Sequence, residues 1–197
     1  MTPLARRAQA GLITVGGLVA VMWVVFVLDL LLGNLLVRTL GIEPRQLDGL
    51  DGVIFAPLLH GGMEHLAGNS LPLLVLGFLA FLEGARRFAV AVGTSWLASG
   101  LGTWLFGGGL TIGASGVVFG LFAYLITRGF YNRDWRQILL AVVLFAVYGS
   151  ILWGVLPRLG SNISWQAHLF GALGGILAAF LLRRKRPAPG GTDRFGA

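Results

Sequence analysis

Residues 111–127 read TIGASGVVFGLFAYLIT, an apolar stretch that carries one serine, Ser115, next to a glycine. A second apolar stretch, residues 164–182, contains a single histidine, His168. Hydroxyl and imidazole groups at membrane depth are costly unless they are hydrogen-bonded or take part in chemistry. A serine and a histidine on two such stretches therefore point to a nucleophile and its base.

The composition predicts an all-α, polytopic membrane protein. Of the 197 residues 56% are apolar and only 12% are charged, and the mean hydropathy is +0.81. Soluble domains carry about a quarter charged residues. The apolar residues fall into blocks of roughly 20, the length of a helix that crosses a hydrocarbon core of about 30 Å. Because the chain has no cysteine, disulfides and thiol catalysis are excluded.

Six blocks predict six transmembrane helices, at residues 11–32, 64–82, 88–106, 111–127, 135–156 and 164–182. They form one domain over residues 11–182, preceded by an N-terminal segment, 1–10. A basic tail, 183–197, follows, and its proline and glycine content predicts disorder. The first block is too long for a signal-peptide core, and we expect it to be retained as a helix.

The basic residues predict the orientation of the helices. Twelve of the 15 lysines and arginines lie on one side of the expected spans, and Arg38, Arg45 and Arg158 lie on the other. Basic segments stay cytoplasmic, so both termini are expected in the cytoplasm. The same distribution accounts for the net charge of +7 without a nucleic-acid partner. Spans two, four and six then run from outside to inside.

The polar residues of these three spans fall at one depth. His65 and Asn69, Ser115 and His168 each lie in the first one or two turns of their span, a few residues below the external surface. His65 and Asn69 are i, i+4 neighbours and share a helical face, while His60 precedes the helix. A hydroxyl, an imidazole and further hydrogen-bond donors at one level are the groups that acyl transfer requires.

Each motif also has a purely structural interpretation. Gly116 and Gly120 form a small-residue face, so Ser115 could serve only helix packing. His168 shares a face with Gly171 and Gly175, and a buried histidine can be a structural hydrogen-bonding group.

A metal site is a further alternative. His60, His65 and His168 could bind zinc, but the His-Glu-x-x-His spacing of metalloproteases is absent, and we expect no metal. No aspartate or glutamate lies inside a span at the depth of His168. A catalytic site here would therefore use a serine–histidine dyad rather than a triad.

With these motifs the chain resembles the rhomboid family of intramembrane serine proteases, in its bacterial type with six helices. The resemblance covers roughly residues 50–182. Three motifs of the family match. Its G-x-S-G motif matches Gly113 to Gly116, and its A-H-x-x-G-x-x-x-G motif matches Ala167-His168 with Gly171 and Gly175. Its H-x4-H-x3-N motif matches His60, His65 and Asn69.

The resemblance implies a role for each site residue. Ser115 would be the nucleophile and His168 the base. His65, Asn69 and the backbone N–H of Ser115 would bind the oxyanion, and Phe119 would pack against the base. A second implied feature lies at the inner end of span two, where Glu83 with Arg86 or Arg87 resembles a charged pair.

The implied function is cleavage of transmembrane segments of membrane proteins near the outer face of a bacterial cell membrane, without a cofactor. A catalytically inactive relative that binds or escorts membrane proteins is the alternative. A small transporter would spread its polar groups through the membrane, whereas here they cluster at one level. One departure is that the first external loop, residues 33–63, lacks the Trp-Arg pair common in the family.

Overall fold

The computed structural model describes residues 2–157 and 163–184, and the regular secondary structure of this part of the chain is helical, with one isolated bridge between Ile42 and Thr111. The all-α prediction is confirmed for these residues. The α-helices are α1 (Pro3–Leu31), α2 (Leu35–Leu40), α3 (Gly52–Phe55), α4 (Met63–Phe81), α5 (Ala85–Phe106), α6 (Ser115–Asn132), α7 (Trp135–Tyr148) and α8 (Trp165–Leu181). Short 3-10 helices cover Leu47–Gly49, Ala56–Leu58 and Gly149–Val155. Arg158 and residues 185–197 of the expected tail lie outside the described residues.

Two helices begin away from the predicted starts of their spans. The first helix begins at Pro3 instead of residue 11, because Thr2 accepts a hydrogen bond from the Ala5 N–H (3.2 Å) and proline suits the first helical position. The fourth span begins at Ser115 instead of residue 111. Gly113 has a φ of +109°, a left-handed conformation that only glycine adopts readily, so the helix cannot extend back through it.

Four helical segments are long and apolar enough to cross a membrane: Pro3–Leu31, Met63–Phe81, Ala85–Phe106 and Trp135–Val155. The last comprises α7 and the 3-10 helix after it. α8 is apolar but only 17 residues long, and α6 ends in polar side chains that lower its hydropathy. A count of six spans therefore stays a prediction. Large apolar side chains are exposed along these helices, as expected for surfaces that face lipid.

The segment between α1 and α4 is tied to α5. The indole N–H of Trp96 donates to the Val53 carbonyl (3.0 Å), and that of Trp104 donates to the Gln46 carbonyl (2.7 Å). The Arg45 guanidinium donates to two carbonyls at the end of α5, at 3.3 and 2.9 Å. The segment itself has no tryptophan, and α5 supplies the indoles that anchor it.

A charged cluster joins α6 to the start of α5. Glu83 forms ion pairs with Arg128 (2.8 Å) and Arg87 (3.2 Å), and Arg128 is buried. Arg86 is exposed and takes no part in these pairs. Arg128 was not predicted as a partner, since it is far from Glu83 in the sequence.

Glycines bring α6 and α8 into backbone contact. A Cβ atom on Gly171 would overlap the carbonyl oxygen of Gly116, and one on Gly175 would overlap that of Gly120. The small-residue faces noted in the sequences of spans four and six thus meet each other, and their contact sets the distance between the starts of the two helices.

Gly171→Ala should lower the melting temperature in detergent by several degrees. Its new methyl group has no room, and overpacking of this kind costs about 1–3 kcal/mol. Gly93→Ala in α5 is the matched control, because a Cβ there meets nothing within 4 Å and alanine favours a helix. Equal melting temperatures for the two variants would contradict the close contact.

Candidate active site

Ser115 and His168 are in direct contact. Ser115 is the first residue of α6 and His168 lies in the first turn of α8. The Ser115 Oγ is 2.8 Å from the Nε2 of His168, a hydrogen-bond distance. The contact between the two helices thus pairs a hydroxyl with an imidazole across 53 residues of sequence.

The other ring nitrogen of His168 fixes which tautomer is present. Nδ1 lies 2.9 Å from the carbonyl oxygen of Gly154. A carbonyl can only accept, so Nδ1 carries the hydrogen and Nε2 presents its lone pair to the Ser115 hydroxyl. The ring of Phe119 stacks on the imidazole with centroids 4.0 Å apart and planes 7° from parallel. The imidazole ring of His168 is therefore held on one edge and on one face.

Gly154 was missed by the sequence analysis. It contributes a backbone carbonyl, which every residue possesses, so no motif marks it. A Cβ there would lie 2.8 Å from His168 Nδ1 and 2.9 Å from Phe119, too close for a side chain. Among the described residues, no carboxylate contacts His168, and a carbonyl occupies the position that an acidic side chain holds in a triad.

Ser99 on α5 was also missed. Its hydroxyl donates to the carbonyl of Ala167, the residue before His168, at 2.9 Å. Ser164 caps α8 by accepting from the Ala167 N–H (3.3 Å). These two bonds hold the first turn of α8, on which His168 lies.

His65 and Asn69 lie beside the loop that precedes Ser115. A Cβ on Gly113 would be 2.5 Å from His65 Nε2 and 3.5 Å from Asn69 Nδ2, so both side chains adjoin its backbone. The Asn69 amide donates one hydrogen to the His65 carbonyl (3.1 Å) and has a second to offer. No side chain caps α6, which leaves its first N–H groups free to bind an anion.

His60 lies behind His65. It precedes α4, as expected, and is buried with its ring edge-on to His65 at 5.0 Å. Burial, and then repulsion from His65, lowers the pKa of His60 to about 4, so the ring is neutral at pH 7. Within the described residues, no three histidine, aspartate or glutamate side chains converge as metal ligands.

A cavity of about 680 Å³ opens beside Ser115 and His168. It is bounded by the start of α4, the loop before α6 and the start of α8. Its described lining residues are Gly61, Gly62, Glu64, His65, Leu110, Thr111, Ile112, Ser115, Ile163, Ser164 and His168. Ser115 and His168 thus face a space large enough for a short extended peptide segment.

The neutral state of His60 predicts acid sensitivity. The unfolded chain binds a proton at the ordinary histidine pKa of about 6.5, whereas the folded one does so only near 4. The contribution of His60 to the free energy of unfolding is therefore complete above pH 6.5 and is lost as the pH falls toward 4. In His60→Gln, melting temperatures measured across this range should depend less on pH than in the unmodified protein. Identical pH profiles would mean that His60 binds protons freely in the folded state.

Comparison with known proteins gives consistent matches. Residues 48–185 match the model of the Rhomboid domain. The Mycobacterium tuberculosis protein Rv1337, whose name assigns no activity, is 43% identical over all of this chain and 87% of its own length. Bacillus subtilis YdcA, named as a candidate rhomboid protease, is 33% identical over 66% of the chain and 65% of its own length. RHOMBOID-like protein 4 of Arabidopsis thaliana is 30% identical over 63% of the chain and 32% of its own length.

Proposed function

Because this chain belongs to the rhomboid family of integral membrane proteins, we propose that it is an intramembrane serine endopeptidase. Its substrates would be other membrane proteins, cut within or near a transmembrane segment. The observation that carries the proposal is the 2.8 Å contact between Ser115 Oγ and His168 Nε2 at the edge of a cavity.

The first chemical step uses the tautomer that Gly154 selects. Ser115 Oγ attacks the scissile carbonyl carbon while its proton passes to His168 Nε2. The imidazolium then formed keeps its Nδ1–H bond to the Gly154 carbonyl, whose dipole favours the positive ring. The same proton next moves to the leaving amine, and water from the cavity hydrolyses the acyl-enzyme.

The developing oxyanion would be bound by three donors. The backbone N–H of Ser115 lies at the start of α6, where the positive end of the helix dipole adds to the hydrogen bond. His65 and the second amide hydrogen of Asn69 approach from α4, beside Gly113. Donors held in place before the reaction stabilise the transition state without a reorganisation cost.

The proposed setting follows from the charge distribution. With both termini in the cytoplasm and six spans, the cavity opens at the outer face of the membrane. A helical substrate hides its backbone carbonyls, so segments with helix-weakening residues near that face should be preferred. No cofactor takes part in the proposed chemistry.

The test is covalent labelling of the purified, folded protein with a fluorophosphonate probe. Label on Ser115, together with cleavage of a transmembrane model substrate, would establish the enzyme. A folded preparation that neither reacts nor cleaves would favour a protein that binds or escorts membrane proteins.

Ser115→Ala should abolish both labelling and cleavage, with a melting temperature near that of the unmodified protein, because alanine fits the same space. His168→Ala should lose cleavage to the same extent. The double variant should be no worse than either, since the two residues act as a unit. Losses that multiply in the double variant would contradict the dyad.

Asn69→Ala should lower kcat with little change in KM, since its bond to the oxyanion forms only in the transition state. Loss of one such donor in a soluble serine protease costs about 100- to 1000-fold in kcat. The loss here should be smaller, because His65 and the Ser115 N–H remain. Steady-state cleavage in detergent measures both constants.

Ser70→Ala is the matched control for Asn69. Ser70 is the next residue of α4, and its side chain also donates to a carbonyl one turn back, that of Leu66 (2.7 Å). Its hydroxyl also accepts from the indole N–H of Trp23 on α1 (3.1 Å), away from Gly113, so its loss should affect stability more than kcat. A higher KM at unchanged kcat in Asn69→Ala would instead place Asn69 in substrate docking.

A further inference from the structure

No acidic side chain was expected inside a span at the depth of His168, but Glu64, the first residue of span two, places a carboxylate in the wall of the cavity beside Ser115 and His168. It lies in the first turn of α4, is exposed, and lines the same space as Ser115 and His168. Among the described lining residues it is the one acidic side chain, and none is a lysine or an arginine. Glu64 therefore contributes a formal negative charge to the wall of this cavity.

Among residues 2–157 and 163–184, no neighbour neutralises this carboxylate. Within the described part of the chain, the ion pairs involve Glu83 and Asp134, and none involves Glu64. Two arginines of the segment between α1 and α4 are engaged by backbone carbonyls instead. Arg38 donates to Gly33 (2.6 Å), and Arg45 donates to carbonyls at the end of α5.

Another interpretation of Glu64 is that its charge serves only the stability of α4. A carboxylate in the first turn interacts favourably with the positive end of a helix dipole, and α4 has no side-chain cap. That role needs no substrate and would be the same for every substrate. A role in substrate selection differs from this structural role, because its effect depends on the charge of the peptide in the cavity.

We propose that Glu64 selects substrates with a basic residue, lysine or arginine, close to the scissile bond, and disfavours acidic ones. This inference rests on the proposed protease function of the same site. Apolar walls such as Leu110 and Ile112 screen a charge less than water does, which strengthens its effect on a peptide held there. Basic residues are scarce on the outer side of transmembrane segments, so such a preference would narrow the set of substrates.

The experiment uses one transmembrane model substrate in three versions, with lysine, glutamine or glutamate at each position flanking the scissile bond in turn. The measured quantity is the ratio of kcat/KM for lysine over glutamate at the most sensitive position. In the unmodified protein we expect a ratio of about 10, because attraction and repulsion each contribute a few-fold. High salt should reduce it.

Glu64→Gln should bring the ratio close to 1, and Glu64→Lys should invert it. Each ratio compares substrates within one variant, so a loss of folded protein or of helix stability cancels. Glu43→Gln is the matched control, since it removes an exposed carboxylate that does not line the cavity and should leave the ratio unchanged. An equal ratio in the unmodified protein and Glu64→Gln, or no inversion in Glu64→Lys, would overturn the inference.

The two proposals fail in different ways. Fluorophosphonate probes with a cationic or an anionic tail measure charge preference at Ser115 without a substrate. If labelling and cleavage do not depend on the charge of the probe or the substrate, Glu64 has no role in selection, and the proposed protease function still stands. If the folded protein neither reacts with any probe nor cleaves the glutamine substrate, both the proposed protease function and the proposed selectivity are contradicted.

Discussion

The close contact between α6 and α8 is the constraint on which the site depends. Ser115 and His168 lie at the starts of two helices, and a hydroxyl and an imidazole reach a 2.8 Å contact only if the helix axes are near each other. Gly171 and Gly175 allow this, because any side chain there would meet the backbone of α6. In a membrane, where apolar side chains gain nothing by leaving lipid, such backbone packing is the main source of helix association. The same glycines therefore serve the stability of the fold and the geometry on which the proposed chemistry rests.

Much of this arrangement could be predicted from the sequence. Apolar block length indicated the helices, and the first-turn positions of Ser115 and His168 indicated a shared depth. The spacing of glycines on the two spans indicated which faces meet. These features could be predicted because they depend on local periodicity and on the fixed thickness of a bilayer.

Other features could not be predicted because they depend on contacts between distant segments. Gly154 acts through its carbonyl, and nothing in a sequence distinguishes one carbonyl from another. Ser99 matters only because Ala167 lies opposite it. The start of α6 was placed four residues too early, since apolar content continues through the loop and only the φ of Gly113 shows that the helix has not begun.

The carbonyl of Gly154 also offers a physical reason why the proposed dyad needs no acidic partner. A third, charged residue would have to be buried beside His168, and burying an ion in a protein carries a desolvation penalty of several kcal/mol. A neutral carbonyl at 2.9 Å selects the same tautomer without that cost. It gives weaker support to the imidazolium, since bonds to a charged acceptor are roughly twice as strong. Stacked Phe119 restrains the ring on its face, so part of the positioning that a carboxylate would supply comes from packing instead.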